Sequence, residues 1–175
     1  MSLLYPLRTP ADADEFDRRA MELALKEARS AGARGEVPVG AIVVREGRVL
    51  GRAGNAVEQQ RDATAHAEML ALSQAFAAAG EKRLEGAELF VTLEPCIQCA
   101  GALLHARIAR LIYGAADPKF GGVASLARVL EIPGLNHRVA VRSGVLAAES
   151  ADLLQAFFRA LRRGSGGLPA SPPDG

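Results

Sequence analysis

Two short stretches of this chain carry residue types that can hold a metal ion and move protons: Thr64-Ala65-His66-Ala67-Glu68 and Glu94-Pro95-Cys96-Ile97-Gln98-Cys99. Cysteines three apart on the first turn of a helix point the same way. The positive end of the helix dipole favours their thiolate form. Pro95 suits the start of such a helix, where its missing N–H costs nothing. Two thiolates and one imidazole form a donor set that favours zinc. Three protein ligands leave a fourth position open, as in catalytic zinc sites. The chain has only two cysteines, so no third thiolate can close this one. Zinc with an open position lowers the pKa of bound water from about 16 to about 7. The proton released must then be carried, and Glu68, two residues past His66, is the candidate carrier.

Each of these residues has a plainer use when taken singly. A C-x-x-C in a reducing compartment can be a redox pair, although that reading expects a thioredoxin-like setting and needs no H-x-E upstream. A histidine on an alanine-rich helix can simply be core, and a first-turn glutamate can answer the helix dipole. His105 and His137 are the other histidines. His105 lies nine residues past Cys96, about 13 Å along a helix, too far to join the ligands.

The elements that must position these motifs alternate along the chain. Phe16, Ala20, Leu23, Ala24 and Ala28 recur at helical spacing and predict a helix over 13–31, stopped by Gly32 and Gly35. Val39 to Val44 and Arg48 to Ala53 read as a hairpin turning at Glu46-Gly47. Helices are expected over 65–79 and 96–106, strands over 88–93 and 108–113, a short helix over 126–130 and a short strand over 139–142. A last helix over 146–163 places Leu153, Leu154, Phe157, Phe158 and Leu161 on one face. The strand–helix–strand unit from 88 to 113 requires a right-handed crossover between parallel strands. The fold class expected is therefore α/β, a three-layer α-β-α domain with a mixed five-stranded sheet. Cys96 falls just beyond the carboxyl end of a strand, where open sheets place their sites.

With 175 residues, 49% of them apolar and 23% charged, the chain fits one ordinary globular domain. A net charge of +1 does not demand a nucleic-acid partner. No signal peptide or membrane span is expected, and a cytoplasmic setting is the default. Residues 1–12 read as an arm and 164–175 as a Gly/Ser/Pro-rich disordered tail, with one domain over 13–163.

H-x-E followed by P-C-x-x-C is the signature of zinc-dependent nucleobase deaminases. Over roughly 13–163 the chain resembles the bacterial tRNA-specific adenosine deaminases, with a cytidine deaminase-like fold. The resemblance runs through Glu36-Val37-Pro38-Val39-Gly40, Gly54-Asn55, Asp117-Pro118-Lys119, Asn136-His137-Arg138-Val139 and Phe157-Phe158-Arg159 as well as the metal motifs. It implies hydrolytic conversion of adenosine to inosine at the wobble position of tRNA. Also implied are one Zn2+ per subunit on His66, Cys96 and Cys99, with Glu68 as proton shuttle. Asn55 would contact the target nucleoside, and Ala67 and Glu94 would line the base pocket, partly through backbone. Asp117 and Lys119 would lie near the RNA, His137 would be structural or RNA-facing, and Phe157, Arg159 and Arg162 would help hold the anticodon loop. The partner implied is a tRNA anticodon loop, and the assembly a homodimer away from membranes. The chain departs from the pattern at Ala63, Phe120, Ser150 and Leu161. The metal motifs are shared with free guanine, cytosine and nucleotide deaminases, which stand as the alternative. A zinc-stabilised binding module is a third reading, opposed by the open position and by Glu68.

Overall fold

The structure, a computed structural model, describes residues 10–164. Residues 1–9 of the expected arm and 165–175 of the expected tail lie outside the described residues. The described elements are α1 (Pro10–Ala33), β1 (Gly40–Arg45), β2 (Arg48–Gly54), α2 (Val57–Gln60), α3 (Ala67–Ala79), β3 (Glu88–Leu93), α4 (Ile97–Ala106), β4 (Arg110–Ala115), β5 (Ala140–Arg142) and α5 (Ala147–Gly164), with a 3-10 turn at Val129–Glu131.

One five-stranded sheet runs β2-β1-β3-β4-β5. The β1–β2 and β1–β3 pairs are antiparallel, whereas β3–β4 and β4–β5 are parallel. The sheet is mixed, as the sequence pattern requires. At the hairpin turn both Glu46 (φ 53°) and Gly47 (φ 71°) have positive φ, the requirement of a two-residue turn that matches strand twist.

Alternation along the strands builds two cores. Ala41, Val43, Leu89, Val91, Leu111 and Tyr113 face α3 and α4, with Ala67, Ala71, Leu72, Ala100 and Leu103 packed on them. Ile42, Val44, Phe90 and Ile112 face the other way, onto Phe16, Ala20, Met21 and Ala24 of α1. The Phe16 and Phe90 rings meet edge to face at 5.9 Å. On that second face α5 lies against β3, β4 and α1. This is the three-layer arrangement.

Buried Asp17 ties the second layer to the sheet. Its Oδ2 accepts hydrogen bonds from Arg110 Nη2 at 2.9 Å and Arg142 Nη1 at 2.7 Å.

Several boundaries differ from the sequence reading. The first helix begins at Pro10 rather than residue 13, so the end of the expected arm is helical. β4 begins at Arg110 rather than 108, because Ile108 is spent closing α4: its N–H donates to Leu103 O at 3.1 Å beside Arg107, whose φ is 57°. The expected helix over 126–130 is replaced by turns and the 3-10 segment. Phe158 and Leu161, expected on the covered face of the last helix, are 40% and 56% exposed.

Candidate active site

The carboxyl end of β3 is where the two motifs meet. The chain leaves β3 at Leu93, and Cys96 becomes the N-cap of α4. Because β1 runs antiparallel to β3, the start of β1 and the end of β2 arrive at the same end of the sheet. Thr92 Oγ1 accepts the Gly40 N–H at 3.1 Å. Asn55 follows β2 directly, and its N–H donates to Val39 O at 3.0 Å.

His66 is the N-cap of α3, and neither it nor Cys96 makes a side-chain capping bond. N-caps are usually residues whose side chain accepts from the first turn. Here an imidazole and a thiol occupy those places and turn to each other instead. His66 Nδ1 lies 3.5 Å from Cys96 Sγ and 3.5 Å from Cys99 Sγ. All three donor atoms fall within 4.8 Å of one another. With bonds of about 2.3 Å to sulfur and about 2.05 Å to nitrogen, a tetrahedral zinc spaces its nitrogen and sulfur ligands about 3.5–3.6 Å apart. The two nitrogen–sulfur spacings fit that ion. Neither cysteine is in a disulfide.

The electrostatics agree. Cys96 is held down to about 4 by the hydrogen bond from the Cys99 thiol, which together with His66 outweighs the effect of burial. Cys99 is pushed up, by that same sharing with Cys96 and by burial. His66 is raised by its contact with Cys96. Glu68 is 4% exposed, and burial pushes its carboxyl up. It lies two residues past His66, with Cys99 as neighbour.

Side chains from outside the helices support these starts. Asn55 Oδ1 accepts the Ala67 N–H at 2.9 Å, satisfying a first-turn donor of α3. Buried Glu36 accepts the N–H groups of Glu58 and Gln59 at 3.1 and 2.8 Å. Asp62 Oδ1 accepts both the N–H and the hydroxyl of Thr64, at 2.8 and 2.7 Å, and so shapes the entry to His66. Gln98 Nε2 donates to Thr64 O at 3.2 Å and joins the two motifs directly.

Glu94 has the densest set of partners. Its Oε1 accepts from the N–H groups of Val123 (3.2 Å), Ala124 (2.8 Å) and Ser125 (2.9 Å). Its Oε2 accepts from the Asp117 N–H at 3.0 Å and from the Ser125 hydroxyl. The carboxylate thus fastens the whole 117–125 loop beside Cys96, which itself bridges to Gly121. Gly121 is required there, since a Cβ would lie 2.4 Å from the Glu94 carboxyl carbon.

Burial alone would raise the Glu94 carboxyl, but these hydrogen bonds outweigh it and hold it below the usual range. A depressed folded-state pKa contributes stability that is complete above the ordinary carboxylate value and lost as pH falls through the folded one. Glu94→Gln is therefore expected to cost about 2–4 kcal/mol at neutral pH, because its amide sets an N–H group against N–H donors. Thermal melts should show the gap to wild type narrowing steadily in acid. A gap independent of pH would show that the charge is not what holds the loop.

The other residues singled out in the sequence are distributed as follows. Asp117 Oδ1 accepts the N–H groups of Lys119 and Phe120 at 3.0 and 3.1 Å, so this carboxylate shapes its own loop. Lys119 is exposed. Phe157, Arg159 and Arg162 lie on α5, away from α3 and α4, at whose starts His66, Cys96 and Cys99 converge. The Phe157 and Phe158 rings meet edge to face at 5.4 Å. His137 Nε2 donates to Ile108 O at 2.8 Å, a structural contact, and His105 is exposed and outside the cluster. Sequence reasoning missed the roles of Glu36, Asp62 and Ser125 and the side-chain role of Glu94. An acid immediately before Pro95 was a visible signal for Glu94, but its partners lie over twenty residues on.

Comparison with known proteins follows the same line. The family model for MafB19-like deaminases matches residues 15–162. A tRNA-specific adenosine deaminase of Agrobacterium fabrum is 53% identical over 142 residues, covering 81% of this chain and 93% of that protein. One from Bacillus subtilis is 46% identical over 147 residues, covering 84% and 91%. A solved structure from work on A-to-I editing by tRNA:A34 deaminases superposes with a TM-score of 0.75 at 52% identity, over 78% of this chain and 99% of that one. A guanine deaminase from Nitrosomonas europaea shares the fold with a TM-score of 0.71 at 25% identity, over 86% and 85%. A chain about half identical to the first of these proteins over nearly their whole length, and matched by a deaminase model through almost all of its described residues, belongs to the tRNA-specific adenosine deaminase family.

Proposed function

We propose that this enzyme converts adenosine to inosine at the wobble position of a tRNA anticodon loop by hydrolysis. The observation that carries the reading is the convergence of His66 Nδ1 with the two thiols at 3.5 Å, beside buried Glu68. His66, Cys96 and Cys99 would hold one zinc ion per subunit. When bound, zinc supplies a water acidic enough to react at neutral pH.

The chain's own groups do the rest. Glu68 takes a proton from the attacking water and delivers it to N1 of the adenine as the oxygen adds to C6. It then moves the remaining hydroxyl proton to the exocyclic amine. The C6–N bond breaks, ammonia leaves, and inosine keeps the C6 carbonyl. Asn55 has its oxygen committed to Ala67, so its NH2 is the end that meets the nucleoside. Ala67 and Glu94 line the base pocket, Glu94 by fixing its wall. Asp117 and Lys119 shape and charge the RNA side, while Phe157, Arg159 and Arg162 hold the anticodon loop. An unpaired loop base is splayed into a pocket at small cost. The family resemblance supports a homodimer working in the cytoplasm. Among the described residues no helix is long and apolar enough to cross a membrane.

The test pairs an activity with a metal measurement. Purified protein is given an anticodon stem-loop carrying a wobble adenosine and, separately, free guanine, cytosine and adenosine. Inosine should form on the RNA, with about one zinc per chain. Turnover of a free base with no inosine on the RNA would overturn the reading in favour of the free-base branch.

A further inference from the structure

We propose that Phe120 is a stacking platform for the nucleobase that flanks the target adenosine, an inference that rests on the tRNA reading above. Phe120 is 67% exposed, and no other large apolar side chain among the described residues is as exposed. It stands next to Gly121, the residue bridged to Cys96, so its backbone lies at the edge of the metal cluster. Ile97 and Leu126, 53% and 58% exposed, flank the same bridge: Ile97 follows Cys96, and the Leu126 N–H donates to Gly121 O at 2.9 Å.

The backbone beneath the ring is fixed. Asp117 Oδ1 takes the N–H groups of Lys119 and Phe120, which satisfies the backbone and leaves both side chains outside. Glu94 fastens the loop on either side of that tip. An aromatic ring on a path already set meets a base without further cost of ordering the loop. The Phe157 and Phe158 rings, by contrast, pack on each other.

The charge beside the ring decides the occupant. Lys119 is exposed next to it. A second protein copy seated there would have to bury that ammonium, whereas a nucleotide offers a phosphate to the lysine and a base to the ring. Stacking together with phosphate contact is how proteins hold unpaired RNA.

The experiment uses the full-length zinc-loaded protein and three anticodon stem-loops: one complete, one abasic 5′ to the wobble adenosine and one abasic 3′ to it. Wild type, Phe120→Tyr and Phe120→Leu are compared by kcat and KM, with zinc content and melting temperature measured alongside. Because the ring is exposed, both variants should fold and keep zinc. Phe120→Leu keeps apolar bulk but not the stacking face. It should lose about tenfold in kcat/KM on the complete stem-loop, through KM, while Phe120→Tyr retains the wild-type value. One abasic stem-loop should cost wild type a similar factor and cost Phe120→Leu nothing more.

Wild-type kcat/KM in Phe120→Leu would overturn the proposal. So would losses that simply multiply in variant and abasic RNA. A drop in rate that tracks dissociation on sedimentation would assign the ring to a second copy instead. Wild type forming no inosine on any stem-loop would remove the tRNA reading itself and this proposal with it. That result is distinct from an active wild type whose Phe120→Leu variant is indifferent.

Discussion

Glu68→Gln is expected to lower kcat by about 10³-fold while leaving zinc content at the wild-type level. The range for losing a positioned proton carrier is about 10²–10⁴-fold, and Glu68 is asked to act twice in each turnover, so the upper half applies. KM should change little, because the isosteric amide keeps the shape of the pocket. Stability should hold or rise. The carboxyl is buried and pushed up by burial, so its charge is a cost to the fold that the amide does not carry. The decisive comparison is turnover on the stem-loop against metal content by elemental analysis. Full turnover with zinc present would remove Glu68 from the chemistry. Loss of zinc together with turnover would make it part of the metal's support.

Cys99→Ala is expected to abolish activity and to lower the melting temperature as well. Cys99 is fully buried at the third position of α4, and removing its sulfur leaves two donors where three converge. Binding to the native state alone stabilises it by about 4 kcal/mol when free ligand is about 1,000 times its Kd. For a chain of this size each 1 kcal/mol shifts the midpoint by about 2–4 °C. A fall of roughly 8–16 °C follows, and chelation of wild type should reproduce most of it. Adding zinc back should restore activity to the chelated wild type and not to Cys99→Ala. A variant that kept both zinc and rate would show that Cys99 is not a ligand.

Residue pattern alone disclosed much of this molecule, and the exceptions share a cause. The hairpin and the β3–α4–β4 crossover are local, with period-2 and period-3.6 patterns spanning whole elements, and both appear where the pattern puts them. The convergence of His66, Cys96 and Cys99 was legible because the spacing is local within each motif and only one pairing of motifs was available. What stayed hidden depends on partners distant in sequence. Residues 126–130 were read as a short helix, yet the chain entering them is drawn off course, because the N–H groups of 123–125 go to a carboxylate about thirty residues earlier. The four-residue α2 has no periodicity to detect and is held from Glu36, twenty-two residues away. Arg110 was read inside a strand starting at 108, whereas it opens β4, with Asp17 and Glu88 paired to it at 2.9 and 2.7 Å. The apolar stripe on α5 was read as one face, of which Leu154 packs on the core while Phe158 and Leu161 are exposed.

The two acids that hold residues 117–125 grip main-chain N–H groups almost exclusively. A segment whose course is dictated that way is indifferent to the identity of its outermost residues. Positions 118–120 therefore form an exchangeable crown, where side chains can be traded without renegotiating how the polypeptide folds.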